Sequence, residues 1–245
     1  REPAGWGLDA PLLEAQANAF SPGSWVVGAP ESLTFVRPEG GPVKITGELV
    51  RASLTHLSNR PPSLSFQAIK AAFAPEAGAR PFAFTAADKV EFHLRAGPDD
   101  EGGVFLKVEG ATARPGSVLA VAGQGKPVAM SWNSTLSAMS KFEGDTWADA
   151  VRNWTQAGGQ MTVRDAGLSA GDAILRIKGG KLAADSDGRA SRVLDLTLGQ
   201  TDRVIAAMGQ TGLMAPEPAD AAAAVARARQ GAGGEMNAAL TFQAG

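Results

Sequence analysis

Hydrophobic and polar positions alternate most clearly from Phe82 to Arg95, FAFTAADKVEFHLR. Phe82, Phe84, Ala86, Asp88, Val90, Phe92 and Leu94 share one parity, while Thr85, Lys89, Glu91, His93 and Arg95 fall on the other. A period of two predicts a strand with one apolar and one polar face. At ~3.3 Å per residue the strand spans roughly 45 Å, more than twice the usual length. Such a strand belongs to a large one-sided sheet, whose apolar face needs a cover: helices of the same chain, a ligand or a partner.

The surrounding pattern is also rich in strands. Leu33–Val36 precedes the turn RPEGGP at 37–42. The alternation from Val43 to Leu57 changes face between Leu49 and Val50, and a second change follows at Ala68-Ile69. A one-residue phase change implies a bulge or bend, because it otherwise turns every later side chain to the opposite face. GPDDEGG at 97–103 predicts a hairpin loop, with Val104, Leu106 and Val108 in the returning strand. Residues 118–122 and 127–132 read as strands, and 134–142 carry no clear period.

From Gly144 onward the pattern is mixed. Thr146 and Asp149 form a capping signature ahead of Trp147, Ala150, Val151 and Trp154 at helical spacing, and Gly158-Gly159 stops the helix. Strands follow at 161–163, 173–177 and 193–198, with an edge piece at 181–184 and a DSDG turn at 185–188. Thr201 is expected to cap a helix carrying Val204, Ile205 and Met208. Residues 218–230 form an alanine-rich helix whose single large apolar side chain is Val225. Met236, Ala238, Leu240 and Phe242 alternate as a last strand. The pattern therefore predicts a mainly β (α+β) protein: a large curved antiparallel sheet forming an apolar trough, with a few helices at one end or across its mouth. The 245 residues fit a single β-rich domain, or halves at 1–143 and 144–245.

Composition removes several kinds of chemistry. The chain has no cysteine, which excludes disulfides, thiolate metal sites and thiol nucleophiles. Lys+Arg total 23 against 25 Asp+Glu, so no basic field draws nucleic acid. No apolar run approaches the ~20 residues of a membrane-spanning helix.

His56 and His93 have no second histidine or metal-ligand spacing near them, so neither is read as a metal ligand or catalytic base. The start of a calcium loop at Asp185–Gly188 has Leu196 where the bidentate glutamate is needed. Gly123–Lys126 lacks the Ser/Thr and following helix of a phosphate loop and reads as a turn. Asn133-Ser-Thr135 and Asn153-Trp-Thr155 match the common glycosylation pattern and carry little weight. No catalytic constellation, metal site or cofactor emerges.

Asp88 is the one carboxylate on the apolar parity of the long strand. Buried alone it would cost several kcal/mol. It belongs either at a bulge or rim beside Lys89 or an arginine, or against a polar ligand group. Trp147 and Trp154 share one helix face, as core or as the rim of a groove.

The block from Val151 to Val163, with Trp154, Gly158-Gly159 and the strand after them, continues through Gly171–Leu175, Gly180–Leu182, the DSDG turn, Leu194–Leu198 and Gly-Leu-Met at 212–214. With GWGLDAPLLEAQANAFSP at 5–22 it resembles a family of uncharacterised envelope proteins of alphaproteobacteria, a domain of unknown function. The stretch 110–143 has no counterpart in that resemblance. The likeness implies a periplasmic location, a signal or inner-membrane anchor before Arg1, and kinship in style with AsmA-like lipid-handling proteins. It supplies no catalytic residues.

Pattern and resemblance together lead to the expectation of a non-enzymatic periplasmic lipid-binding or lipid-transfer protein that holds acyl chains of a phospholipid or sphingolipid. The expected lining is Leu64, Phe66, Phe82, Phe84, Asp88, Val90, Phe92, Leu94, Leu106, Trp147, Trp154 and Leu194. The alternatives are a structural module of the envelope, whose apolar face is its core, and an enzyme acting on lipid or glycan through carboxylates such as Asp88.

Overall fold

Among the described residues the alternating segments hydrogen-bond in one open antiparallel sheet of 14 strands, and four α-helices accompany it. The computed structural model describes residues 7–242 except 19, 38–39, 58–60, 145, 185–189 and 231–233. The DSDG turn lies outside the described residues.

The strands are β1 (Gly7–Asp9), β2 (Glu14–Asn18), β3 (Ser21–Gly28), β4 (Leu33–Arg37), β5 (Gly41–Thr46), β6 (Leu49–Thr55), β7 (Ser63–Pro75), β8 (Phe84–Ala96), β9 (Gly102–Ala113), β10 (Val128–Leu136), β11 (Gln160–Ala170), β12 (Ala173–Ala184), β13 (Ala190–Gly199) and β14 (Glu235–Phe242). From β7 to β14 each strand pairs with the next, so this half is a plain meander. At β7 the sheet branches: its first half pairs with β6, which leads to β3 and β2, and its last residues pair with β5, which leads to β4 and β1. The sequence run 43–57 is thus two strands laid end to end along β7.

The phase changes read near Leu49-Val50 and Ala68-Ile69 belong to one crease. Gly47-Glu48 separates β5 from β6, and the Glu48 N–H donates to the Ile69 carbonyl at 3.0 Å. Lys70 takes φ 50° and Gly110 φ 59°. The register aligns Lys70 with Asp88 and Asp88 with Gly110. Inward-facing positions change parity across this line together, from buried Ala68 to Ala71, from half-buried Val90 to buried Ala87 and from buried Val108 to Ala111. Because neighbouring strands turn over in step, the apolar face stays continuous. Gly110 is required here: a Cβ would fall 2.0 Å from Asp88 Oδ2, in a backbone region that L-residues avoid.

The helices are α1 (Val118–Ala122), α2 (Trp147–Gln156), α3 (Thr201–Gln210) and α4 (Pro216–Arg229). Residues 118–122 therefore depart from the strand expected there. Ser117 caps the turn, its Oγ accepting from the Ala120 N–H at 3.3 Å, and only β10 is strand. α2 begins as expected: Thr146 Oγ1 accepts from the Asp149 N–H at 3.1 Å and donates to Asp149 Oδ2 at 2.7 Å. α3 does not use Thr201 as its cap. Gln200, at φ 55°, takes that place, and Thr201 lies buried in the first turn.

α4 starts at Pro216. It turns Ala219, Ala223 and Ala226 inward and packs on α3, leaving Val225 52 % exposed. Residues 181–184 are the second half of the continuous strand β12, paired on both sides, rather than a separate edge piece.

Candidate functional site

Cross-strand register assembles three rows of side chains on the apolar face. The first runs Val50, Ala68, Val90, Val108, Met130, Leu168, Leu175, Leu198, Met236. The second runs Ala52, Phe66, Phe92, Leu106, Trp132, Ala166, Ile177, Leu196, Ala238. The third runs Leu54, Leu64, Leu94, Val104, Ser134, Val163, Gly180 and Leu194, and the register sets Leu194 beside position 240 of β14.

Ser134 is the one polar side chain in these rows. It is fully buried, and the Trp132 indole Nε1–H donates to its Oγ at 2.9 Å, so the polar groups of the strip satisfy each other. With strands about 4.8 Å apart, the nine strands from β6 to β14 make a strip roughly 38 Å long. Row spacing of about 7 Å along a strand makes it roughly 14 Å wide.

Helices stand at the two ends of the strands. At one end Ala122 of α1, Ala173 of β12 and Ala207 of α3 form a small core, and Leu119 and Ala120 pack on the Val128–Ala170 cluster. At the other end Trp154 of α2 packs with Leu136 and Met139 over Leu94, Val104 and Met161. Its Nε1–H donates to the Ser137 carbonyl at 2.6 Å, and its ring lies directly on Gly159, where a Cβ would be 2.2 Å from the indole. No helix packs along β6, β7 or β8 among the principal contacts of the described residues. Beyond β6 the strip continues to β3, where Trp25, opposite Leu54, is 38 % exposed.

The expected lining divides against this geometry. Leu64, Phe66, Val90, Phe92, Leu94 and Leu106 are half-buried neighbours in the rows. Leu194 belongs to the third row but is only 2 % exposed, packed with Val163 and Leu196. Phe84 is buried on the far side of the crease among Ala87, Ala111 and Val128, so it is core. Phe82 precedes β8 and stacks on Phe73 at 5.1 Å, with the Arg37 guanidinium 5.5 Å over its ring. Trp154 is core of the end wall, and the Trp147 side chain lies outside the described residues.

Asp88 is not part of the strip. The crease turns it into solvent, where it accepts from Lys70 Nζ at 2.6 Å. The expected partner Lys89 instead pairs with Glu91 at 2.9 Å. The hydrogen bond to Asp88, with its charge, raises the Lys70 ammonium above its ordinary value.

Sequence reasoning missed Trp132, Met130, Leu168, Leu175, Ile177 and Leu196. The alternation of Val128, Met130 and Trp132 was the available signal. Pairing Leu168 with Leu175 across the turn at Gly171 would have extended it.

The opposite face is polar. Arg51 donates to Gln67 at 2.9 Å, and Gln67 is aligned with Glu91 and then Lys107. His93 Nδ1 lies 2.9 Å from Ser65 Oγ, with the Phe105 ring 5.9 Å away. A groove of about 440 Å³ runs past Arg51, Gln67, Glu91 and His93. These groups form a solvated ladder of hydrogen bonds and ion pairs, without a nucleophile–base–carboxylate relay among their contacts. His56 lies beyond the end of β6, exposed, with its Nδ1 3.3 Å from Thr55 Oγ1. Among the described residues no group of three His, Asp or Glu could hold a metal ion, and no helix is long and apolar enough to cross a membrane.

A family model described as an uncharacterized protein conserved in bacteria, DUF2125, matches residues 1–245. The chain belongs to this bacterial family. No curated protein and no solved structure matches it. The family match spans both sides of the crease and includes 110–143, the stretch that had no counterpart in the motif resemblance. In this member of DUF2125 that stretch provides α1, the whole of β10 and the bonded pair Trp132–Ser134 at the centre of the strip.

Proposed function

We propose that this DUF2125 protein is a non-enzymatic lipid-binding or lipid-transfer protein of the periplasm, and that the three-row strip receives acyl chains. The observation that carries the reading is the strip itself: rows of apolar side chains across nine strands, with helices at the strand ends rather than along β6–β8. Apolar burial contributes about 0.8 kcal/mol for each buried methylene, so a chain laid along the strip needs no directional chemistry to be held. Half-buried Phe66, Phe92 and Leu106 offer the contact surface. Trp25, at the β3 end, is where a chain would enter.

The second reading, a structural module of the cell envelope, draws on Phe84, Trp154 and Leu194, which are packed as ordinary core. Native mass spectrometry after detergent-free purification, followed by solvent extraction and lipid analysis, separates the two. The lipid reading expects bound phospholipid or sphingolipid that can be stripped and rebound. A protein that never carries lipid, and whose strip does not bind an added fatty-acid probe, leaves the structural reading. Fractionation of the native host tests the periplasmic location.

A further inference from the structure

The outer edge of β14 is unlike the other edges of the sheet. β1 has 3 residues, and β2 has 5 with its register broken between Ala17 and Asn18. Short or irregular edges discourage pairing with another chain. β14 is 8 residues long, EMNAALTF, and keeps an unbroken register against β13 from Glu235 to Phe242. It has no lysine, arginine or proline, and its one charge is at its first residue. Among the described residues its other side pairs with no strand.

We propose that this edge pairs with the same edge of a second copy of the chain, antiparallel and centred on Ala239. The strand is complementary to itself in that register. Met236 comes opposite Phe242 of the second copy, Ala238 opposite Leu240, and Asn237 opposite Thr241. Each pair matches apolar with apolar or polar with polar, and Ala238 with Leu240 sets a small residue against a large one. Slipping by one residue would place Asn237 opposite Leu240 and mix the faces. Slipping by two toward Ala238 keeps the faces and the ladder length but sets Asn237 opposite Ala239 and the charged Glu235 opposite Thr241, and slipping by two the other way shortens the ladder. The dyad stands perpendicular to the sheet, so the apolar face of one copy continues into that of the other. The pairing is an isologous interface, which closes at two subunits. It does not depend on what the strip binds.

The absence of native cysteine makes the register directly testable. Sedimentation of the full chain is expected to show a dimer. Ala239→Lys places like charges opposite each other at the dyad and is expected to raise the dissociation constant at least about tenfold while leaving the circular dichroism unchanged. Under mild oxidation Ala239→Cys is expected to form a disulfide-linked dimer rapidly. Asn237→Cys alone should link poorly, but a mixture of Asn237→Cys with Thr241→Cys should link. A protein that remains monomeric at about 100 μM overturns the proposal. Equal cross-linking of Ala239→Cys and Asn237→Cys also overturns it, and this trap remains decisive if the lysine variant fails to fold.

Discussion

Truncating two phenylalanines of the same strand distinguishes a ligand surface from a filled core. Phe84 is 9 % exposed and enclosed by Ala87, Val108, Ala111 and Val128. Phe84→Ala leaves a cavity among small side chains that cannot follow it, and is expected to cost about 3–5 kcal/mol. Phe92 is half-buried between Phe66 and Leu106. Burying a whole phenylalanine contributes about 1.5–3 kcal/mol, so a partly covered ring with an open side should cost roughly 1–2 kcal/mol on truncation. Urea denaturation followed by tryptophan fluorescence, at an unchanged denaturant slope, gives both values. The same Phe92→Ala protein is expected to bind a fluorescent fatty-acid probe about tenfold more weakly, equivalent to 1.4 kcal/mol. Phe92→Asp should remain folded and lose binding, whereas Phe84→Asp should not fold. If Phe92→Ala costs as much as Phe84→Ala and leaves probe affinity unchanged, the strip is a core and the lipid reading fails.

Gly110→Ala should destabilise by about 2 kcal/mol, from left-handed backbone and displacement of Asp88; in an Asp88→Ala chain only the backbone part, about 1 kcal/mol, should remain, and equal losses in both chains would refute the crease geometry. Gly159→Ala should cost about 2–3 kcal/mol and shift Trp154 fluorescence, because the new methyl displaces the indole from Ser137; an unshifted spectrum would contradict that packing. Asp202 accepts from Gln230 at 3.0 Å and Arg227 at 3.1 Å, and these contacts hold its carboxyl below the usual range. A lowered folded-state value gives stability that is present above the unfolded value near 3.9 and lost as pH falls through the folded one. Asp202→Asn should therefore cost about 0.5–1 kcal/mol at neutral pH. The difference should vanish in acid, and a gap in thermal midpoint that persists in strong acid would refute the sign.

The sheet was legible because period-two alternation is a direct consequence of a half-buried strand. The long strand appears at 84–96 against an expected 82–95, and the hairpin after it is in place. Two phase changes in β8, between Phe84 and Ala87 and between Ala87 and Val90, cancel, so the even parity of the sequence concealed them. That cancellation also made Asp88 read as an apolar-face carboxylate, when its role depends on Lys70 and Gly110 of the neighbouring strands. No local pattern reports such a row, because its members lie far apart in sequence. The helix at 118–122 was missed because VLAVA has the composition of a strand, and only Ser117 and its bond to Ala120 decide otherwise. Six of the proposed lining residues were legible from alternation alone. Trp132, Ile177 and Leu196 needed the register of the meander.

The distribution of side-chain size supports a surface made for a ligand. Beyond the crease the buried positions are mostly alanine: Ala71, Ala87, Ala111, Ala113, Ala170 and Ala173. Small side chains let α1 and α3 come close to the sheet, so that end is sealed by backbone proximity with little bulk. α4 adds only an alanine face packed on α3. The larger side chains, Phe66, Phe92, Leu106 and Trp132, lie instead in the central row, away from the walls at either end. A core sealed by its own chain places bulky residues under a covering layer, because burial there contributes most. Phe66 and Phe92 stand on β7 and β8, which carry no helix, with Leu106 and Trp132 beside them on β9 and β10, and this placement of bulk is what the proposed acyl-chain surface would require.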